Sequence, residues 1–465
     1  MRAVGIDVAS HSTRGHFGGM IGTISESLPL RQNGETSMIR LVAMMGLALA
    51  MGSHAWAQPV LDYVNAPDDS FAWEVAKQEP MAGGMLTELK VTSQVWQGIT
   101  WTHRVNVFLP DGCSDPSTAL MMITGGSPGG SELVLLSSAG IMLSAPVVVL
   151  GDIPNQPLFD NLREDALIAY TFMKYVETGD ETWPLLFPMT RAAVRTMDAV
   201  EAWTAEAWER PVERWVATGA SKRGWTTWFT GVTVPERLDG IVPMVYDNLD
   251  LAAQMRLQVE SFGGYSEEIN DYTELGLQEM LQSPEGAQLA AMADPHSLRD
   301  RATMPKLIIN GSNDPYWPLD ATNLYWDELP SPKYVLYVPN AGHGLPDIER
   351  VINAEVGFFK ACTGRIPLPQ PSWEFDYGSY LKLVVDPGEE LPVIRVNQWM
   401  AHADTRDFRG SEWRMREALQ SGDSYVARAR YPLTGYTALF AEIIYEADGR
   451  EFPLSTNVRI IGPRG

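Results

Sequence analysis

The sequence predicts an α/β protein: a mostly parallel central sheet flanked by helices, with a helical insertion, followed by a small C-terminal antiparallel β-sandwich. Three observations predict it. From about Glu88 short apolar runs alternate with longer helical patterns; the interval 247–304 is long, polar and helix-prone; and beyond Cys362 the texture changes to closely spaced short strands.

The strand candidates of the first region are 88–95, 103–109, 119–124, 146–150, 214–218, 240–246, 305–310 and 333–338. Several are rich in Val and Ile with few polar residues, as in strands buried on both faces. Between them Leu162, Ala166, Ala169, Met173 and Val176 fall at helical spacing, as do Ala193, Met197, Val200, Trp203 and Ala207, which predicts covering helices. The 247–304 interval separates the sixth and seventh strands and reads as a lid. Pro367, Pro369 and Pro371 stand at every second position, which excludes helix and central strand and marks 366–372 as a linker after a main domain at 58–365. In the remainder, 373–465, Leu381, Leu383 and Val385 alternate with Lys382 and Asp386, and Trp413 and Met415 with Arg414 and Arg416. Further strands are expected at 425–431, 438–445 and 458–461, the pattern of a β-sandwich.

A chain of 465 residues, 45% hydrophobic with 15 Trp, can bury a sizeable core. Its net charge of −23 repels phosphate backbones and anionic lipid, which argues against a nucleic-acid partner. Met38-Ile39-Arg40, the apolar run 41–52 and Ala55-Trp56-Ala57 before Gln58 match a secretory signal peptide at 38–57 with cleavage after Ala57. Residues 1–37 then read as an over-extended translation start. The apolar run is about a dozen residues, too short for a permanent membrane anchor, and no Cys follows it to accept a lipid. The expected location is periplasmic or secreted. In an oxidising compartment Cys113 and Cys362 either pair or remain two free thiols.

The strongest chemical signal is the run Trp215-Val216-Ala217-Thr218-Gly219-Ala220-Ser221-Lys222-Arg223-Gly224-Trp225, an apolar strand entering Gly-x-Ser and leaving into a helix. That is the pattern of a nucleophile elbow, in which a tight strand-to-helix turn projects the serine hydroxyl from the sheet. A serine that merely caps a helix is the plainer alternative. Arg223 stands where the second glycine of such elbows normally sits, and the glycine comes one later, at Gly224. A serine nucleophile on this framework, the α/β-hydrolase fold, takes its acid after a late strand and its histidine after the last. Asn313-Asp314-Pro315 follows the seventh strand, and Asn340-Ala341-Gly342-His343-Gly344 the eighth. Of seven histidines, only His343 is on a glycine-flanked loop at a strand's C-terminal end. Asp314 is the expected acid, with Asp247, after the sixth strand, and Asp320 as competitors. The backbone amides of Lys222 and of Gly126, in the glycine-rich loop 124–130, are the expected oxyanion hole. That loop lacks phosphate-binding spacing. No His/Cys cluster has metal-ligand spacing, and no cofactor is expected. Trp225, Trp228, Tyr316 and Trp317 are candidates for an apolar substrate pocket or for plain core.

The stretches Gly219 to Trp225, Asn310 to Leu324 and Pro339 to Leu345 resemble the PhoPQ-activated pathogenicity-related protein family. So does the region Asp165 to Pro188, with Tyr175, Glu177, Thr178, Gly179, Asp180 and Trp183. The resemblance runs from about Val64 to Ile461. It implies an α/β-hydrolase and, by the family's name, a tie to a bacterial virulence regulon; it names no substrate. The expectation is a serine hydrolase that cleaves a small-molecule or polymeric carboxylic ester or amide through Ser221, His343 and Asp314. A serine peptidase of the same fold is the alternative within enzymes. A non-catalytic secreted signalling or binding protein on the same scaffold is the alternative outside them.

Overall fold

The computed structural model describes residues 58–464 apart from 128 and 282, so the expected signal peptide and the stretch before it lie outside the described residues. Nine strands build the main sheet in the first region: β1 (Ala72–Met81), β2 (Gly84–Trp96), β3 (Ile99–Pro110), β4 (Thr118–Ile123), β5 (Val147–Leu150), β6 (Arg214–Ala220), β7 (Leu238–Met244), β8 (Lys306–Gly311) and β9 (Lys333–Val338). Their spatial order is β1-β2-β3-β5-β4-β6-β7-β8-β9. The first three are antiparallel neighbours and β3 meets β5 antiparallel, while the pairs from β5 to β9 are parallel. This is the α/β-hydrolase arrangement. The chain leaves β4 toward β5 on one side and returns as β6 on the other, so the loops after β4 and β6 diverge and leave a crevice at their C-terminal ends.

All eight expected strands are present. Of these nine strands the one without a periodicity signal is β1, whose residues are mostly exposed, so it carries no buried alternation. Glu74, Lys77 and Glu79 line this strand at the sheet's edge, where charge discourages pairing with another chain. The helix Glu164–Thr178 forms where spacing predicts one and turns the predicted face toward the core: Ala169 is buried and Met173 and Val176 are half-buried against it, Leu162 precedes the helix, and Ile168, Thr171, Phe172 and Tyr175 are buried as well. The helix Leu186–Ala207 buries Ala193, Met197, Val200 and Trp203 as expected. Between β7 and β8 the insertion folds mainly as helices Leu251–Phe262 and Pro284–Ala293 with short turns between them.

The C-terminal region contains β10 (Ser372–Tyr377), β11 (Leu381–Asp386), β12 (Val393–Ala403), β13 (Arg414–Glu417), β14 (Leu419–Ser421), β15 (Ser424–Ala429), β16 (Tyr436–Ala447), β17 (Arg450–Ser455) and β18 (Arg459–Ile461). A four-stranded antiparallel sheet, β10-β11-β15-β14, forms one layer. The other layer continues the main sheet as β9-β17-β16-β12-β13, with Ser455 of β17 paired to Val335 of β9. The alternating Leu381, Leu383 and Val385 face Ile443 and Tyr445 in a core cluster that also contains Val216, Ile309, Leu336 and Phe358 of the first region. The sandwich is therefore fused to the hydrolase sheet through shared strands and shared core. Cys113 and Cys362 are free thiols: Cys113 donates to Ser144 O at 3.4 Å, and Cys362 Sγ packs against Gly240.

In the helix Ile348–Cys362, a Cβ on Gly357 would stand 2.9 Å from Phe452 Cβ and closer still to its ring. Gly357→Ala gains about 1 kcal/mol of helix propensity but overpacks at a cost of about 1–3 kcal/mol, so the urea midpoint should fall with an unchanged slope. A raised midpoint would show that the β17 contact yields freely. On the same helix, the half-buried Glu355 turns its carboxyl to the buried Thr218 hydroxyl, 2.7 Å away. That hydroxyl also lies 3.0 Å from Val242 O and has one proton to give, so a protonated Glu355 satisfies both contacts. Burial pushes this carboxyl up to about 7. With the folded value raised, its stability contribution is full at acid pH and is lost as pH rises from the ordinary carboxylate range through about 7. Glu355→Gln keeps a donor to Thr218 without titrating. Its stability relative to wild type should rise across that window by up to roughly 3 kcal/mol; parallel pH profiles from denaturation would overturn the assignment.

Candidate active site

Strand β6 delivers Ser221 at φ 57 and ψ −124, a left-handed backbone outside the regions open to ordinary residues. The helix Lys222–Thr233 begins at the next residue. A Cβ on Gly219 would stand 2.7 Å from Arg223 O, because the helix turns back over that position. Gly224 takes over the close-packing duty: a Cβ there would stand 2.7 Å from Met244 O of β7. Ser221 N donates to Met244 O at 2.9 Å. The Ser221 side chain does not cap the helix, and its hydroxyl lies 2.8 Å from His343 Nε2.

His343 Nδ1 lies 2.9 Å from Asp314 Oδ2 and 3.1 Å from Oδ1. Asp314 is 6% exposed and also accepts from the Tyr316 backbone N–H at 2.9 Å, which fixes its carboxylate. The Tyr316 ring stacks on the imidazole at 4.1 Å between centroids. The two loops are joined to each other by Asn313 N to Ala341 O at 2.9 Å and Asn340 N to Ser312 Oγ at 2.9 Å. Segment 408–413 braces both: Asn313 Nδ2 donates to Ser411 O at 2.7 Å, and Trp413 N donates to Asn340 Oδ1 at 2.7 Å.

The competing acids point elsewhere. Asp247 accepts from Tyr325 OH at 2.5 Å, Thr322 Oγ1 at 2.7 Å and Asn310 Nδ2 at 2.9 Å, and burial pushes its carboxyl up to about 7. Asp320 is engaged by Arg406 Nη2 at 2.6 Å. Among the remaining described histidines, His103 is buried against Ser93 Oγ, His296 faces Glu328 and His402 faces Thr437.

Lys222 supplies the first backbone amide of the elbow helix, and Gly126 lies in the loop after β4. The Thr124 hydroxyl lies 2.8 Å from Gly126 O and 3.1 Å from Leu150 O, and a Cβ on Gly126 would meet open space. Lys222 Nζ donates to Asp165 Oδ2 at 2.7 Å, and Tyr272 OH of the insertion donates to Asp165 Oδ1 at 3.0 Å.

A cavity of about 100 Å³, open at its mouth, lies beside Ser221 and is roofed by the insertion. Its wall includes Trp225, Tyr316 and Trp317, as the sequence suggests, and also Phe172, Tyr246 and Tyr272. Trp225 stacks on Tyr246 at 4.9 Å, and Trp317 meets Tyr246 edge-on. Trp228 is a correction: it is 1% exposed, packs within the core and takes no part in the cavity wall. It sits three residues after Trp225, a helical spacing that left both on one face while only Trp225 reaches the cavity. Phe172, Tyr246 and Tyr272 come from three separate elements, and no local motif marks them. Among the described residues no group of three or more His, Cys, Asp or Glu is placed to hold a metal ion, and no helix is long and apolar enough to cross a membrane.

Residues 60–409 match the PhoPQ-activated pathogenicity-related protein family. The chain belongs to that family. It is 34% identical over 398 residues to autocrine proliferation repressor protein A of Dictyostelium discoideum, spanning 78% of each chain. Among solved structures it is similar to acetyl xylan esterase 1 from a Thermoanaerobacterium species, with 14% identity and a TM-score of 0.46 over 65% of this chain and 93% of the other. It is also similar to an S-formylglutathione hydrolase from Agrobacterium tumefaciens, with 15% identity and a TM-score of 0.42 over 62% and 98%. For this family member the elbow, the Asn-Asp-Pro turn and the Asn-Ala-Gly-His loop converge on one point of the fold.

Proposed function

We propose that this PhoPQ-activated pathogenicity-related family member is a serine hydrolase of carboxylic esters that works through an acyl-enzyme. The observation that carries the reading is the hydrogen-bonded line Ser221–His343–Asp314, ending on a left-handed elbow beside an apolar cavity. Ser221 Oγ attacks the ester carbonyl while His343 Nε2 takes its proton. Asp314 holds Nδ1–H and stabilises the imidazolium. The tetrahedral oxyanion is met by the amides of Lys222 and Gly126, and the alcohol leaves with the proton from His343. Water then attacks the acyl-serine by the same relay, releasing the acid and restoring Ser221. The cavity wall is dominated by aromatic and aliphatic side chains, and its one ammonium, Lys222, is offset by Asp165. An uncharged, largely apolar acyl group fits that lining.

A second reading has one specific observation in its favour: the relative's name is that of a proliferation repressor. On that reading the chain is a secreted signalling protein on a hydrolase scaffold. Fluorophosphonate labelling of the purified protein, with a panel of p-nitrophenyl esters, separates the two. Labelling at Ser221 with ester turnover supports the hydrolase; no labelling of folded protein supports the signalling reading. The export proposal is checked on the same material, where N-terminal sequencing should read Gln58 first and a retained Met1 would overturn it.

The acid is tested by paired isosteric changes. Asp314→Asn should lower kcat by roughly 10³–10⁴-fold, because the imidazole loses its tautomer and its countercharge. Asp247→Asn should stay within about tenfold of wild type, since its oxygens face Tyr325, Thr322 and Asn310 rather than the histidine. The reverse ranking, with both variants folded by circular dichroism, would move the acid to the residue after β7.

A further inference from the structure

Arg223 occupies the place of the elbow's usual second glycine, and its side chain is 10% exposed. It turns beneath the loop that follows β4. A Cβ on Gly125 would overlap Arg223 Nη2 and stand 2.5 Å from Cζ, so the guanidinium lies flat against that glycine. Arg223 Nε donates to Ile153 O at 2.6 Å, and Ile153 N donates in turn to Thr124 O at 3.1 Å. The loop is thus gripped at Gly125 directly and at Thr124 through Ile153. The far side of the guanidinium forms a two-pronged pair with Glu164, Nη1 to Oε2 at 2.7 Å and Nη2 to Oε1 at 2.8 Å. Glu164 opens the helix Glu164–Thr178 with a left-handed backbone at φ 50, and its backbone N–H donates to Gln156 Oε1 at 2.8 Å. The adjacent Lys222–Asp165 pair, 2.7 Å, ties the residue before Arg223 to the residue after Glu164. A planar fork held at both edges has no freedom to swing, unlike a lysine.

The geometry points to Arg223 as a positioning residue that sets the distance between the two oxyanion-hole donors, the amides of Lys222 on the elbow and Gly126 on the loop. It rests on the serine-hydrolase reading, since it assigns those amides a reacting oxygen. Arg223 is one residue from Lys222 in sequence and touches the residue before Gly126. Its backbone moves with one donor and its guanidinium with the other. Removing the guanidinium leaves a void under Gly125, into which the loop can settle away from the oxyanion. Such a loss acts on the tetrahedral state and not on ground-state binding, because the cavity that holds the acyl group does not include Arg223.

The test uses the full-length mature protein and two readouts: steady-state turnover of a p-nitrophenyl ester, and inhibition by benzeneboronic acid, which forms a reversible tetrahedral adduct on an active serine. Arg223→Met should lower kcat by roughly 10²-fold with KM within a few-fold, and weaken the boronic acid by a comparable factor. Arg223→Lys keeps the charge without the fork and should fall between. Glu164→Gln, which keeps the side-chain shape and frees one edge of the guanidinium, should move both readouts the same way by about tenfold. Gly125→Ala should cause a similar loss alone, and together with Arg223→Met less than the product of the two, because both act through one contact. If Arg223→Met does not fold, Arg223→Lys and Glu164→Gln decide. A lowered melting temperature with kcat and boronic-acid affinity unchanged, or a rise in KM alone, would overturn the positioning role while leaving the hydrolase reading in place. If wild-type Ser221 reacts with neither fluorophosphonate nor ester, both fall together.

Discussion

The left-handed backbone at Ser221 is the constraint around which the rest of the fold is arranged. A non-glycine residue held there costs on the order of 1–3 kcal/mol and persists only when its surroundings over-determine it. Here they do so from three sides. The Ser221 amide is tied to Met244 of β7, the helix after the elbow closes on Gly219, and Gly224 lets that helix press against β7. Strand β6 supplies the rigid base, with Trp215 to Gly219 buried between β4 and β7. Relaxing any of these contacts would let the serine fall back toward the sheet, and the 2.8 Å contact to His343 would be lost.

That fixed serine demands an equally fixed partner, and the partner sits on loops. β8 and β9 are parallel neighbours in register, Gly311 opposite Val338, so the loops that leave them start side by side. A Cβ on Gly311 would stand 2.5 Å from both Ala341 O and Gly342 O, which shows how closely the histidine loop crosses the end of β8. The C-terminal segment 408–413 then holds one asparagine from each loop, Asn313 and Asn340. This gives the sandwich a role that its position in the chain does not suggest. By pairing β17 to β9 and sharing a core with the main sheet, it anchors the segment that braces the loops carrying Asp314 and His343.

What was legible in the sequence was what local chemistry dictates. Buried strands need unbroken apolar runs, so β2 to β9 could be read, and the elbow, the Asn-Asp-Pro turn and the Asn-Ala-Gly-His loop each announced themselves because their backbones need glycine or asparagine at set places. Fold order then brought Ser221, Asp314 and His343 together. What was not legible depends on which face of an element meets which neighbour. Trp225 and Trp228 are alike in sequence and differ in what they touch. The fusion of β17 to β9 rests on a pairing between segments more than a hundred residues apart. Arg223 read only as a departure from a glycine pattern, because its partners, Gly125, Ile153 and Glu164, are distant in the chain.

The two aspartates after neighbouring strands show how environment rather than sequence sorts them. Asp314 lies in the loop just after β8 with both carboxylate oxygens within 3.1 Å of the His343 imidazole Nδ1. Asp247 is sealed among hydroxyl and amide donors, and burial pushes its carboxyl up to about 7, so near neutrality about half of it is uncharged. Its oxygens are taken up by Asn310, Thr322 and Tyr325 and do not reach the histidine. Its donors come from elsewhere in the site's scaffold, however: Asn310 is the residue of β8 just before the acid loop, and Thr322 and Tyr325 lie just beyond that loop. Asp247 therefore clasps the two ends of the segment that presents Asp314. The aspartate that does not face the histidine is a strut for the one that does.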